Sequence, residues 1–372
     1  MKLAKLSLAA IVAAGALTTV NAKPLEEAIK GVDFSGMLRY RLNQKEVESV
    51  KSDNHNDWDF LAKFTAPVTE DIKAVMAFAS NSGKGVNQSD KSVSSLNVDL
   101  AKAFFVYSKD ALTVKAGMQA FGHPIFDNGF NGNKGNGVVA MYNAGAVTLA
   151  GAYFAGIGGP GINLLSSVNG DEADVAAVAV IGSMGPVSAQ VWYVTIQDVV
   201  DGQFFVQADG KFAMVNVTGQ FINTKIDDRL VPAAATDDSG NYYALKVGAD
   251  FAPVTVNVGY TKNDDKQGHY SVAGADSAVI HPGWRLGYEI DNVADAESYF
   301  ADVTATFGKY SVMVAYANAE VPGKDYDEIQ AKVGYQVSKN LNTYVRYSTM
   351  DIETAATTTD SDYLRFEANY SF

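Results

Sequence analysis

Apolar and polar residues alternate along most of this chain. Five segments show the alternation most clearly, and they cover residues 33–42, 58–65, 112–119, 242–249 and 328–335. Because successive side chains of a β-strand point to opposite faces, each segment has one apolar face and one polar face. The pattern predicts an all-β protein. A soluble sandwich and a membrane barrel share this alternation, so it does not choose between them.

The lengths of the connections favour a transmembrane barrel. Minimal turns alternate with longer polar stretches, and the long ones cover residues 43–56, 81–97, 122–137, 156–174, 223–240 and 261–297. Membrane barrels have tight turns on one side and long loops on the other. Only the connection at 198–202 is short where a long loop is due. We predict a transmembrane antiparallel β-barrel of about 18 strands, with 16 possible, short periplasmic turns and long extracellular loops.

The N-terminal 22 residues have the three regions of a secretory signal. Lys2 and Lys5 supply the positive start, residues 6–17 form a short apolar core, and Val20 and Ala22 are the small residues before the cleavage site. We predict cleavage before Lys23. Residues 23–372 then form a single transmembrane barrel domain.

Composition excludes several classes of protein. The chain has no cysteine, which excludes a disulfide scaffold, a thiolate zinc site and a cysteine nucleophile. The net charge of −13 becomes −15 after loss of the two signal lysines, and it argues against a nucleic-acid partner. A mean hydropathy of −0.04 excludes a bundle of membrane helices. This value is compatible with strands in which the hydropathies of an apolar face and a polar face offset each other in the mean.

The polar faces of a barrel of this size line a water-filled pore. With the apolar faces outward, eight basic residues are predicted to line the lumen: Arg39, Arg41, Lys63, Lys115, Lys246, Lys332, Arg346 and Arg365. Acids are predicted on the same faces: Asp59, Asp250, Asp302, Glu328 and Glu367. A wall of mixed charge sets up a transverse field that orients hydrated solutes. The alternative is that these charges only solvate the lumen.

The connection at 121–137 is the best candidate for a constriction loop. It combines glycines with aromatic residues, whereas the other loops are more hydrophilic. We predict that Phe121, Phe126 and Phe130 anchor it against the inner wall, and that Asp127 faces the basic wall. The alternative is an ordinary exposed loop.

No pattern of catalytic or metal-binding residues stands out. All four histidines, His55, His123, His269 and His281, fall in predicted loops without the spacing of a zinc site. The acidic pairs in the loops lack the spacing of a calcium-binding helix-loop-helix. We therefore predict that the protein is not an enzyme.

The chain resembles the major outer membrane porins of Campylobacter and related epsilonproteobacteria. The resemblance lies in the first residues, in residues 23–30 (KPLEEAIK), in residues 35–41 (SGMLRYR) and in the Phe126-Asp127-Asn128 element. The last strand, which ends in Tyr370 and Phe372, resembles the closing strand that the barrel-assembly machinery reads in outer-membrane barrels.

The resemblance implies an 18-stranded homotrimer in the outer membrane of a Gram-negative bacterium. It also implies contact with outer-membrane lipid and lipopolysaccharide. Some members of that family hold calcium through acids of this loop and the next. Here the corresponding positions are Asn131 and Asn163, so together with Asp127 they are weak metal candidates and we predict no cofactor.

These observations predict a general diffusion porin. It would pass ions and small hydrophilic solutes without chemistry, with the mild cation preference that the resemblance implies. The alternative is an adhesin or receptor barrel whose long loops bind external partners.

Overall fold

The computed structural model describes most of the chain. The described residues are 31–48, 50–80, 86–87, 98–129, 132–158, 173–231, 237–266, 268, 271–272 and 276–372. Residues 1–22, for which cleavage is predicted, lie outside them, as do Phe130, Asn131, Asn163 and His269.

Eighteen long strands form one closed antiparallel sheet, as the alternation predicted. They are β1 Asp33–Val47, β2 Val50–Pro67, β3 Ile72–Ser80, β4 Val98–Lys109, β5 Leu112–Ala120, β6 Lys134–Asn143, β7 Val147–Gly158, β8 Val175–Met184, β9 Val187–Ile196, β10 Val200–Phe212, β11 Val215–Ile226, β12 Ser239–Phe251, β13 Val254–Asn263, β14 Glu297–Phe307, β15 Tyr310–Val321, β16 Lys324–Gln336, β17 Leu341–Thr354 and β18 Thr358–Ser371. A two-residue segment, Val86–Asn87, pairs with β2. Each long strand pairs with its neighbours in the sequence.

The first and last strands close the barrel. β1 pairs antiparallel with β18, with Arg39 opposite Asn369 and Arg41 opposite Glu367. Gly36 and Phe372 exchange two backbone hydrogen bonds at the end of this pair. A Cβ on Gly36 would lie 2.5 Å from the Phe372 ring, so only glycine lets the terminal ring lie across β1. Each of the eighteen long strands therefore has a partner strand on both sides.

The outer face of the barrel is apolar and exposed, as a lipid-facing surface requires. Phe34, Phe105 and Tyr299 on this face are 50%, 56% and 56% exposed. Inward-facing neighbours such as Arg39 are polar and partly buried. None of the helices that the structure describes is long and apolar enough to cross a membrane.

One predicted connection is wrong. Residues 43–56 are not a long loop, because β1 continues to Val47 and β2 begins at Val50, with Lys45 opposite Asp53. Strand pairing uses backbone groups, so a run of polar side chains extends the hairpin just as well as an apolar run. The connection at 198–202 is short, as the sequence indicated: β9 ends at Ile196 and β10 begins at Val200.

The described residues of two long connections on the loop-rich side pack against the inner wall. Counting that side in chain order, L3 (residues 121–133) joins β5 to β6, and L7 (residues 264–296) joins β13 to β14. L7 contains the four-residue helix α1, Leu286–Glu289. A 3-10 turn, Asp228–Leu230, lies in L6 (residues 227–238). Among the described residues, two buried clusters include apolar residues from L3 and L7 packed against strands.

Candidate functional site: the pore constriction

Aromatic and aliphatic side chains hold L3 against the inner wall. Phe126 and Ile125 are 1% and 0% exposed. The Phe121 ring stacks on Phe126, with centroids 4.5 Å apart, and lies 4.3 Å from Phe154 of β7. These contacts include Phe121 and Phe126, two of the three predicted anchors. The third predicted anchor, Phe130, lies outside the described residues.

The side chains of Asn128 and Asn133 form hydrogen bonds with the backbone of L3. Asn128 donates to the carbonyl oxygens of His123 and Phe126, at 2.9 and 3.1 Å. Asn133 accepts the Asp127 N–H at 2.8 Å and donates its own N–H to the Asp127 carbonyl at 2.7 Å. The Asp127 carboxylate accepts the Gly129 N–H at 2.7 Å. These contacts pin the backbone on both sides of Asp127.

L3 and L7 contact each other inside the barrel. The N–H of Ala278 donates to the Pro124 carbonyl at 2.8 Å, and the N–H of Val272 donates to the Ile125 carbonyl at 3.1 Å. The Ser271 hydroxyl also donates to the Ile125 carbonyl, at 3.1 Å. The two loops are therefore hydrogen-bonded to each other inside the barrel. The sequence predicted an inward position for L3 only.

A buried carboxylate anchors L7 to the wall. Glu328 of β16 is 1% exposed and accepts the backbone N–H groups of Trp284, Arg285 and Leu286, each at 2.9 Å. It also accepts the Ser348 hydroxyl at 2.5 Å. Gly283 beside it has φ +62°, and a Cβ there would lie 2.3 Å from the Glu328 carboxylate. Glu328 faces inward as predicted, but it binds the loop backbone, because L7 covers this part of the wall.

Trp284 of L7 packs against the arginines of the wall. The guanidinium carbons of Arg346 and Arg365 lie 4.8 and 5.0 Å from its ring centroid. Arg365 also donates to Asn43 across the closure, at 2.6 Å. Lys332 lies 4.2 Å from the Tyr344 ring. The two arginines that stack on Trp284 therefore help to hold L7 against the wall.

The arginines of β1 have acidic partners. Arg39 and Asp59 form an ion pair at 2.6 Å, and so do Arg41 and Glu367. These four side chains are each 24% exposed or less. Charge-assisted pairs of this kind fix the direction of each guanidinium on the wall.

Asp127, which the sequence predicted to face the basic wall, lies near charges of both signs. Its electrostatic partners include Lys102 and Arg39, as well as Asp276 of L7. Burial and Asp276 raise the pKa of Asp127, although the Gly129 N–H opposes the shift. Lys102 in turn interacts with Lys63, Lys115 and Lys134. The predicted residues Lys63 and Lys115 therefore belong to one lysine group with two members that the sequence did not reveal.

L7 contributes two further acidic residues, Asp276 and Asp291. Burial, followed by the charge of Asp276, raises the pKa of Asp291 to about 7. Asp276 accepts a hydrogen bond from the Tyr288 hydroxyl at 2.7 Å. In L3, burial lowers the pKa of His123 to about 3, so this imidazole is neutral at physiological pH. The loops therefore present carboxyl groups and no histidine charge at these positions.

Comparison with known proteins agrees with this architecture. The model of the Campylobacter major outer membrane protein family matches residues 1–372, the whole chain. The chain belongs to this family. It is an outer-membrane porin channel, a multi-pass β-barrel in contact with membrane lipid. No curated protein sequence matches the porin.

Solved outer-membrane proteins share the fold of the porin. OccK3 (OpdO) of Pseudomonas aeruginosa superposes with a TM-score of 0.70 at 14% identity, over 94% of this chain and 97% of that one. OccAB3 of Acinetobacter baumannii gives 0.72 at 13% identity, over 92% and 99%. OpdK of Pseudomonas aeruginosa, solved with vanillate, gives 0.68 at 13% identity, over 91% and 98%. At this identity the likeness is one of fold.

Of the three metal candidates in the porin, the structure describes Asp127 alone. No three His, Asp or Glu side chains in the described ranges lie close enough together to hold a metal ion. Asp127 has cationic neighbours and a backbone hydrogen bond instead.

The remaining predicted residues lie at other levels of the barrel. Lys246 lines a cavity beneath L7 together with Asp302 and Arg346. Tyr370 and Phe372 lie on the lipid face with ring centroids 5.8 Å apart. Asp250 is exposed and bonded to Asn216 and Thr255 near the turns.

Proposed function

We propose that this porin is a general diffusion channel for ions and small hydrophilic solutes, narrowed by L3 and L7 together. The observation that carries the proposal is the placement of Asp127. Two hydrogen-bonded loops hold this carboxylate among the charges of Arg39 and Lys102 on the wall. Opposite charges on two sides of a narrow lumen orient dipolar solutes and exclude apolar ones.

We further propose a mild cation preference. Arg39 and Arg41 are neutralised by their carboxylate partners, and Trp284 covers Arg346 and Arg365. The lysine group remains basic, but the loops add Asp127, Asp276 and Asp291, and the whole chain is acidic. Because paired and covered arginines attract anions weakly, the acidic loops tip the balance toward cations.

Transport by this route is passive, and we assign the porin no bond-breaking chemistry. We also propose a homotrimer that contacts lipopolysaccharide and is recognised by the barrel-assembly machinery through its last strand. Support for that recognition comes from the pairing of Phe372 with Gly36, which places the terminal aromatic residue at the closure of the barrel. Calcium plays no part in this proposal.

Planar bilayers test the proposal directly. We expect discrete ohmic conductance steps, and a reversal potential in a KCl gradient that favours cations. Arg39→Gln should increase the cation preference, because it leaves the Asp59 charge unopposed. The matched control is Arg229→Gln, since Arg229 is ion-paired but lies in the exposed loop L6. Folded protein that leaves the bilayer sealed would contradict the channel and leave the receptor-barrel alternative.

A further inference from the structure

Two lysines on the wall beside L3 lie in one row across three neighbouring strands. Lys63 of β2 and Lys102 of β4 pair with the same residue of β3, Ala77, from its two sides. Lys63 also shares its face of β2 with the buried, inward-facing Asp59. Because neighbouring strands are about 4.8 Å apart, the backbones of the two lysines are about 10 Å apart. Only the methyl group of Ala77 lies between them in this row.

The lysine group has more positive charge than its acidic neighbours balance. Its members are Lys63, Lys102, Lys115 and Lys134, and each of the others interacts electrostatically with Lys102. Asp127 of L3 interacts with Lys102 as well. A second acid, Asp99, lies opposite Ala79, one position further along the same face. Four lysines beside two acids leave an excess of two positive charges.

The side chains of the lysine group are open to a solute. Arg39 and Arg41 are ion-paired with carboxylates, whereas within the described part of the chain no salt bridge joins a member of the lysine group to an acid. Lys63 is exposed, and the other three lysines are half-buried, so each has surface that a solute can contact. Like charges held close together repel, and an anion that lies between them relieves the repulsion.

We propose that the lysine group binds small dianions, either inorganic phosphate or dicarboxylates. Lys63 and Lys102 donate to the anion from two sides, since an ammonium group on a flexible stem can turn toward it. A dianion balances the two excess charges, whereas a monoanion leaves one of them unopposed. The inference rests on the proposed porin function, because a solute reaches the lysine group through the open lumen.

Reversal potentials in a KCl gradient test the proposal with the whole purified porin in planar bilayers. Inorganic phosphate, succinate or acetate is titrated at pH 8, where the first two are dianions and acetate is a monoanion. A bound dianion cancels lysine charge, so the cation preference should rise and then saturate. Half-saturation by phosphate, succinate or both should need a concentration roughly tenfold lower than by acetate. Tight binding of phosphate alone identifies phosphoryl anions, and tight binding of succinate alone identifies dicarboxylates.

Lys63→Met and Lys102→Met each remove one donor and should raise the half-saturating concentration of the dianion roughly tenfold. Lys309→Met is the matched control, because Lys309 lies in an exposed turn and its loss changes the net charge equally. Equal half-saturation by all three anions in the unmodified porin would overturn the proposal, and so would unchanged binding in both lysine variants. A sealed bilayer would instead overturn the porin function itself.

Discussion

L3 and L7 both pack inside the barrel, but different interactions hold them. L3 is held by its own aromatic residues, which pack on an apolar part of the wall. L7 also packs apolar residues, but Glu328 holds its backbone and Arg346 and Arg365 hold its tryptophan. Apolar anchoring tolerates changes in pH and salt, whereas anchoring by charges and hydrogen bonds responds to both. L7 is therefore the more adjustable side of the constriction.

The largest effect is expected from a substitution that removes an apolar anchor of L3. Phe126→Ala removes a fully buried ring, and we expect it to weaken the packing of L3 by about 3–5 kcal/mol. Trp192 packs on this cluster, with its ring 4.8 Å from His123, so its fluorescence reports on L3. In a variant that keeps only this tryptophan, Phe126→Ala should shift the emission to the red. Phe105→Ala on the lipid face is the control, and equal spectra for both would refute the anchor.

The next largest effect is expected from a substitution that removes the carboxylate anchor of L7. Glu328→Ala leaves three backbone N–H groups without their acceptor, each at a cost of about 1–3 kcal/mol, while Glu328→Gln keeps one acceptor oxygen. We expect Trp284 fluorescence and channel conductance to change strongly in the alanine variant and less in the glutamine variant. Glu320→Ala, at an exposed position of β15, should change neither. Normal conductance in all three variants would show that Glu328 does not position L7.

A smaller expected effect distinguishes the two loops by the pH dependence of their charge. The pKa of Asp291 is raised to about 7, so this carboxyl loses its charge as the pH falls from 8 to 6. Because burial penalises the charged form, docking of L7 is most stable below the ordinary pKa of 3.8 and loses stability as the pH rises from there to about 7. Cation preference should therefore be greater at pH 8 than at pH 6. His123 of L3 stays neutral throughout, because its pKa is about 3.

Asp291→Asn tests the origin of this pH dependence. The variant should lose the part of the selectivity change that Asp291 causes. Reversal potentials in a KCl gradient at pH 6, 7 and 8 measure the difference. An unchanged pH profile in the variant would exclude Asp291 as the titrating group.

The barrel and L3 were predictable because their signals are local. Strand alternation shows the two faces of the sheet, and the aromatic residues of L3 show its apolar anchors. L7 was not, because its polar anchors lie far along the chain, at Glu328, Arg346 and Arg365. A loop that is bound by other segments leaves little trace in its own sequence.

Lys102 was missed for a local geometric reason. A bulge in β4 places Leu100 opposite Phe78, while Lys102 lies opposite Ala77. The extra residue changes which positions face inward, so simple alternation puts Leu100 and Lys102 on one face. Lys134 was assigned to a loop, whereas it begins β6.

Chemical modification at Asp127 tests most directly whether solutes pass between L3 and the basic wall. The chain has no cysteine, so Asp127→Cys creates a single thiol for a bulky methanethiosulfonate reagent. Single-channel conductance should fall sharply on modification and recover when the label is reduced off. Asp228→Cys, in the exposed L6 turn, is the control and should leave the conductance unchanged. Full conductance with a bulky label on residue 127 would contradict the account.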